Sequence, residues 1–404
     1  MMSSSSEVDQ STDIIVDHLL KVFANQYQSN IGRLVVRAPG RVNLIGDHTD
    51  YNEGFVLPMT IDLDVYAVLR KRSDQEIHLF SVNYGESLDY MLTQRPPVRS
   101  GHWMSYVTGA VEELRRRGLL RTGLDLLIYG DVPTGAGLSS SAALEVAVVF
   151  GVNRLFDLGL GAVETALLCQ TVEHRYAGVE CGIMDQFASR LGRTKHALFL
   201  DCRSLEYEHV PLPLEEAGLA LVIADSGVTR MLADSKYSER QKECHQIVDV
   251  MKRLDSGIMS LRDVTIDLLK QARGSLDQTL ENRARHVVTE NARVVNARDA
   301  LLAGDFNAFG DRMNESHQSL RDLFEVSSAE LDLLVETAQD CDGVLGARMT
   351  GGGFGGATIN LVERDAVSGL IRALRSTYRR QVGREPRIYV LKQNHETEVL
   401  NEDP

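Results

Sequence analysis

Asp185 is the sole acid in Cys181-Gly182-Ile183-Met184-Asp185-Gln186-Phe187, an otherwise uncharged and largely apolar stretch. A carboxylate so placed is a candidate for chemistry, or it merely decorates the first turn of a helix, where the dipole favours negative charge. A second cluster, Arg37-Ala38-Pro39-Gly40-Arg41-Val42-Asn43-Leu44-Ile45-Gly46-Asp47-His48-Thr49-Asp50-Tyr51-Asn52, gathers Arg41, Asp47, His48 and Asp50 just after a Pro-Gly turn. That density of hydrogen-bonding groups suits a polyhydroxylated ligand or a solvated loop better than a core. In Asp131-Val132-Pro133-Thr134-Gly135-Ala136-Gly137-Leu138-Ser139-Ser140-Ser141-Ala142-Ala143-Leu144, a strand ends, glycines and hydroxyls follow, and an apolar helix begins. Unpaired N–H groups and a positive dipole end then face whatever anion approaches, which makes the segment a phosphate cradle unless it is an ordinary capped turn. It is not a Walker loop, because no Gly-Lys-Ser/Thr follows. Gly351, Gly353 and Gly356 satisfy G-x-G-x-x-G, but a strand rather than a helix follows. This run therefore reads as a hairpin or as backbone supporting a phosphate, and only weakly as a dinucleotide fingerprint, on which alone a dinucleotide-dependent oxidoreductase would rest.

These groups need elements to hold them. Thr12 or Asp13 can cap a helix carrying Ile15, Leu19, Val22 and Phe23 on one face. Strand patterns follow at Arg33 to Arg37 and Ile61 to Arg70, a helix from about Met104 to Arg117, and a strand at Leu124 to Tyr129 entering the cradle. Helices are expected at Ser141 to Phe156, Val163 to Tyr176 and Ile183 to Leu191, then a strand at Ala197 to Cys202. Arg203 to Gly218, with Pro211 and Pro213, marks a soft boundary. Beyond it lie a strand at Leu219 to Ala224 and helices from about Ser235 to Gln339. Strands at Val344 to Met349, Ala357 to Val362 and Ile388 to Leu391 surround a last helix beginning near Asp365. Strands mixed with runs of helices indicate an α+β protein.

The 404 residues carry 43 Lys+Arg against 57 Asp+Glu, a formal charge of −14, which disfavours nucleic acid or an anionic membrane as partner. An anionic ligand must then be held locally. Apolar runs break long before the ~20 residues a membrane span needs, and Met1 to Gln10 lack the pattern of a secretory signal, so a cytoplasmic protein is expected. Five cysteines without CxxC spacing argue against a disulfide framework or zinc knuckle.

Arg37 to Asn52, Gly135 to Leu144, Gly182 to Phe187 and Arg348 to Gly356 together resemble the signature segments of the galactokinases, within the GHMP small-molecule kinase family. The resemblance extends from about residue 12 to 392. It implies two lobes with the active site between them: an N-terminal lobe at 12–205 built on mixed β-sheet, and an α+β C-terminal lobe at 206–395. A disordered tail at 1–11 and a tail at 396–404 would flank them. The implied activity is phosphorylation of D-galactose at its C1 hydroxyl by ATP with Mg²⁺, in a chain expected to be a monomer. By matching position, Asp185 is implied as base and Arg41 as the cation beside it. Ser141 and Glu173 would hold the metal, and Asp47, His48, Thr49, Asp50, Gly182 and Tyr237 the sugar. ATP would meet Trp103 and Gly135, Ala136, Gly137, Leu138, Ser139, Ser140 and Ser141. Asp47 stands where the family has a glutamate, one methylene longer, facing the sugar's C6 hydroxyl. A 1-kinase for N-acetylgalactosamine or arabinose, and a sugar sensor without turnover, are the alternatives.

Overall fold

Alternation along Arg33–Asn43 and Pro58–Lys71 sends successive side chains to opposite faces of a sheet, and both faces are covered. In a computed structural model, which describes residues 4–29, 31–96, 98, 102–228, 233–392 and 394–403, Val35, Tyr66, Val68 and Leu127 pack against Val16, Leu19 and Phe23 of helix Ser4–Tyr27. On the other face, Leu34, Val36, Leu69 and Leu126 meet helix Ser140–Phe156. That helix is apolar nearly all round, so it is buried from Ala142 to Asn153.

This six-stranded sheet runs Glu398–Glu402, Arg33–Asn43, Pro58–Lys71, Leu124–Gly130, Glu76–Ser81, Glu86–Met91, with one parallel pair between Leu124–Gly130 and Glu76–Ser81. A four-stranded antiparallel sheet runs Val344–Thr350, Ala357–Glu363, Leu219–Asp225, Arg387–Val390. Leu219, Leu221 and Ile223 face the core shared with the first sheet and with helices Gln278–Leu302 and Phe306–Ser319. Ala220, Val222 and Ala224 face helices Ala329–Gln339 and Val367–Val382. A small sheet of Phe55–Val56, His196–Asp201 and Tyr207–Pro211 completes the α+β architecture among the described residues.

Four expectations change. Pro39-Gly40 is not a turn: the strand continues to Asn43 through a bulge between Pro39 and Arg41, because pairing with Pro58–Lys71 on both sides overrides the local signal. The stretch Arg203 to Gly218 contains a strand rather than only a boundary loop. Residues 398–402, expected within a tail, form the edge strand beside Arg33–Asn43. Val399 and Leu400 pack on opposite faces of that sheet, and Arg37–Glu398 and Arg33–Asp403 ion pairs flank it at 2.6 and 2.7 Å. Of the tail expected at 1–11, residues 1–3 lie outside the described residues, and the first helix begins at Ser4 rather than near Thr12.

The bulge brings strand and cradle together. The Arg41 N–H donates to the Leu138 carbonyl at 3.1 Å, and a Cβ on Gly40 would lie 2.7 Å from that same oxygen. Gly40→Ala is therefore expected to lower stability by about 1–3 kcal/mol, the usual cost of overpacking, as read by urea unfolding.

Candidate active site

The bulged strand delivers Arg41 to the wall of a cavity of about 820 Å³, where it meets Asp185 from the first turn of helix Met184–Leu191. Arg41 Nε donates to Asp185 Oδ1 at 2.8 Å and Nη1 to the Gly137 carbonyl at 2.6 Å. The Ser139 hydroxyl donates to Asp185 Oδ2. Asp185 is thus oriented through both oxygens while its side chain stays 26% exposed, open to a ligand. Arg41 and Asp185 come together as the sequence predicts. Ser139 as Asp185's partner was not legible, since the two are 46 residues apart.

Ser139 sits at φ 59°, in the left-handed region, as do Gly135 and Gly137 at 78° and 80°. It occupies the cap position of helix Ser140–Phe156 yet caps none of its amides with its side chain, because that hydroxyl serves Asp185. The first N–H groups of the helix stay available to an anion. Gly135, Gly137, Leu138, Ser139, Ser140 and Ser141 line the cavity. Ala136 does not: its methyl is buried in the core.

Behind the cradle, the Ser141 hydroxyl donates to Glu173 Oε1 at 3.1 Å, and Gln186 Nε2 donates to Glu173 Oε2 at 2.6 Å. Burial, then the Asp185 charge, pushes the Glu173 carboxyl up to about 7. Glu145, fully buried on the cradle helix, is pushed well above its usual range by burial and by Glu173. Gln186 escaped the sequence reading, although it directly follows the candidate base.

The loop from Leu44 to Gly54 forms the opposite wall and is held from helix Gln278–Leu302. Glu290 Oε1 accepts from the Gly46 N–H at 3.1 Å, and Asn291 Oδ1 accepts from the Phe55 N–H at 2.9 Å. Asp47, 1% exposed, pairs with Arg348 and accepts the Gly351 N–H at 2.9 Å, so the second glycine run supports this loop. His48 lies among Tyr51, Tyr237 and Phe324, with ring centroids 4.9–5.9 Å away. Asp50 packs on Gly182, where a Cβ would fall 1.8 Å from its Oδ2, so any larger residue there would displace the Asp50 carboxylate. Asp47, His48, Asp50, Gly182 and Tyr237 line the cavity, but Thr49 does not. Fully buried, Thr49 directs its hydroxyl at the Gly46 and Phe55 carbonyls and braces the loop.

At the far end, Trp103 begins helix Trp103–Arg116 and lines the cavity with Tyr84, Glu86 and His102. A cradle for an anion, a base with its cation, and a polar loop thus share one cavity. The arrangement can deprotonate a hydroxyl beside a bound phosphate.

Residues 21–71 match the galactokinase galactose-binding signature, 105–193 the GHMP kinases N-terminal domain and 297–380 the GHMP kinases C-terminal model. A galactokinase of Roseiflexus sp. (strain RS-1) is 45% identical over 91% of this chain and 94% of that protein. One from Clostridium beijerinckii is 37% identical over 95% and 97%. The crystal structure of Lactococcus lactis galactokinase complexed with galactose superposes with a TM-score of 0.90 at 38% identity, covering 96% of this chain and all of that one. Methanococcus jannaschii mevalonate kinase, at 20% identity and a TM-score of 0.66, shares the fold.

Burial, then the Asp185 charge, pushes Asp50 up to about 7. Between about pH 4 and 7 the folded chain keeps a proton that the unfolded chain has released, so this group's contribution to stability is lost as pH rises. Asp50→Asn removes that loss. Its stability relative to the parent protein is expected to increase from pH 4 to 8, by at most about 1.4 kcal/mol per unit, in urea melts across that range.

Proposed function

The chain belongs to the galactokinase family of GHMP kinases, and from that membership we propose that it transfers the γ-phosphoryl group of ATP to the C1 hydroxyl of D-galactose. The observation that carries the reading is Asp185, held by Arg41 and Ser139 at the mouth of the cradle in the cavity that the sugar-binding loop also lines. In this reading Asp185 accepts the C1 hydroxyl proton as the oxygen attacks phosphorus. Arg41, fixed by the Gly137 carbonyl, orients Asp185 and offsets the charge developing on the transferring group. The orphan amides after Ser139 hold the nucleotide phosphates. Asp47, His48, Asp50, Gly182 and Tyr237 orient the sugar, and Trp103 lies against the base.

Ser141 and Glu173 suit Mg²⁺. A hydroxyl and a carboxylate 3.1 Å apart are hard oxygen donors too few to cage an ion, and among the described residues no three His, Cys, Asp or Glu side chains cluster as metal ligands. Such an ion, completed by waters and phosphates, would neutralise phosphate charge. We assign residues 12–205 and 206–395 to the two lobes of the fold. No helix among the described residues is long and apolar enough to cross a membrane, and five free cysteines fit a reducing, cytoplasmic setting.

Asp185→Asn is expected to lower kcat by about 10²- to 10⁴-fold in a coupled ADP-release assay while the chain stays folded. Near-parental turnover would remove Asp185 from the mechanism. The sugar loop gives a second expectation. Asp47 has committed one lone pair on each oxygen, to Arg348 and Gly351, and keeps others for the C6 hydroxyl. D-fucose, which lacks that hydroxyl, is then a poorer substrate by about tenfold or more in kcat/KM. Equal values for the two sugars would show that Asp47 does not read C6.

A further inference from the structure

The aromatic end of the cavity holds hydrogen-bonding groups that the proposed reaction does not use. Tyr84 and Trp103 stack with centroids 5.5 Å apart and planes inclined by 18°, offering a face suited to a flat heterocycle. Around them most polar atoms are spoken for. Asn83 spends its amide on Gly130: Nδ2 donates to the Gly130 carbonyl and Oδ1 accepts the Gly130 N–H, both at 2.8 Å. This bond ties the aromatic end to the strand that enters the cradle. His102 Nδ1 accepts the Met104 N–H at 3.4 Å, which leaves the proton on Nε2, 3.5 Å from Glu86 Oε2. The Trp103 indole N–H donates to that same Oε2 at 2.8 Å. Both contacts fall on Oε2, and Oε1 takes part in neither.

Glu86 is therefore a carboxylate fixed in direction by an indole and an imidazole, with its second oxygen left over beside a stacking surface. A carboxylate accepts hydrogen bonds and donates none. We propose that Glu86 reads the edge of the nucleotide base and selects a purine carrying an amino group at position 6 over one carrying a carbonyl. The amino group donates to Oε1; a carbonyl oxygen meets an ionised acceptor and is repelled. The inference rests on the reading of the cavity as a site for ATP and adds to it the residue that makes the donor adenine-specific.

Glu86→Gln tests this with little disturbance. The side chain is 44% exposed, and a glutamine oxygen still accepts the Trp103 N–H while its amide supplies a donor. Inosine triphosphate differs from ATP in the base at position 6, and Trp103, the single tryptophan, reports nucleotide binding by its fluorescence. The parent protein is expected to prefer ATP to ITP by about tenfold or more, both in Kd from Trp103 quenching and in kcat/KM with galactose. In Glu86→Gln that preference shrinks by about tenfold, with ITP improving outright. Kinase activity on galactose with an ATP:ITP ratio unmoved by Glu86→Gln overturns this inference and leaves the kinase reading standing. Absence of both nucleotide binding and turnover in the parent protein removes the two together.

Discussion

A guanidinium only 4% exposed must be answered by negative groups, and the Arg41–Asp185 pair is the contact through which the halves of this site are brought into register. Everything nearby fixes the distance between them. Ser189, one turn beyond Asp185, donates its hydroxyl to the Pro39 carbonyl at 2.8 Å, two residues before Arg41. Arg41 in turn bonds the Leu138 carbonyl, and Ser139 bonds Asp185. Bulge, cradle and helix form a closed circuit of hydrogen bonds, so that none shifts without the others. The buried apolar helix Ser140–Phe156 gives this circuit a rigid backing.

The electrostatics run against the expected ligand. Asp47, Asp50, Glu173 and Asp185 line or adjoin a cavity in a chain of net charge −14, yet ATP is itself an anion. Two devices reconcile this. Backbone amides at the head of a helix bind phosphate without adding a formal charge, and Arg348 neutralises Asp47 within the protein. The remaining carboxylates, with Glu173 and Asp50 pushed up to about 7 by burial first and by the Asp185 charge second, are what a divalent cation and a neutral polyol tolerate best.

Local sequence revealed what local chemistry decides. The cradle was readable because glycines, hydroxyls and an apolar helix follow one another directly, and the main strands because their alternation is strong. Pro39-Gly40 misled, since a turn signal yields to sheet pairing on either side. Strands Glu76–Ser81 and Glu86–Met91, toward a sheet edge, alternate in burial, but only six residues carry the pattern in each, which is too short a run to stand out. Thr49 and Ala136 travelled with their motifs, but whether a side chain faces cavity or core depends on packing that spacing does not encode. Arg348 with Asp47, 301 residues apart, and Trp103 with Glu86 are meetings that the folded chain alone decides.

The edge strand Glu398–Glu402 has a kinetic consequence. Arg33 and its partner Asp403 are separated by 370 residues, so the first sheet cannot close on that side until almost the whole described chain has left the ribosome. Throughout synthesis the Arg33–Asn43 strand carries an unpaired row of N–H and C=O groups, the kind of template on which nascent chains associate. Thr397, whose hydroxyl bonds the Ser189 carbonyl, arrives in the same late step and links helix Met184–Leu191 to it. The sheet that carries Arg41 is thus completed by a segment made some 370 residues after the strand it pairs with, and its edge stays open until that segment arrives.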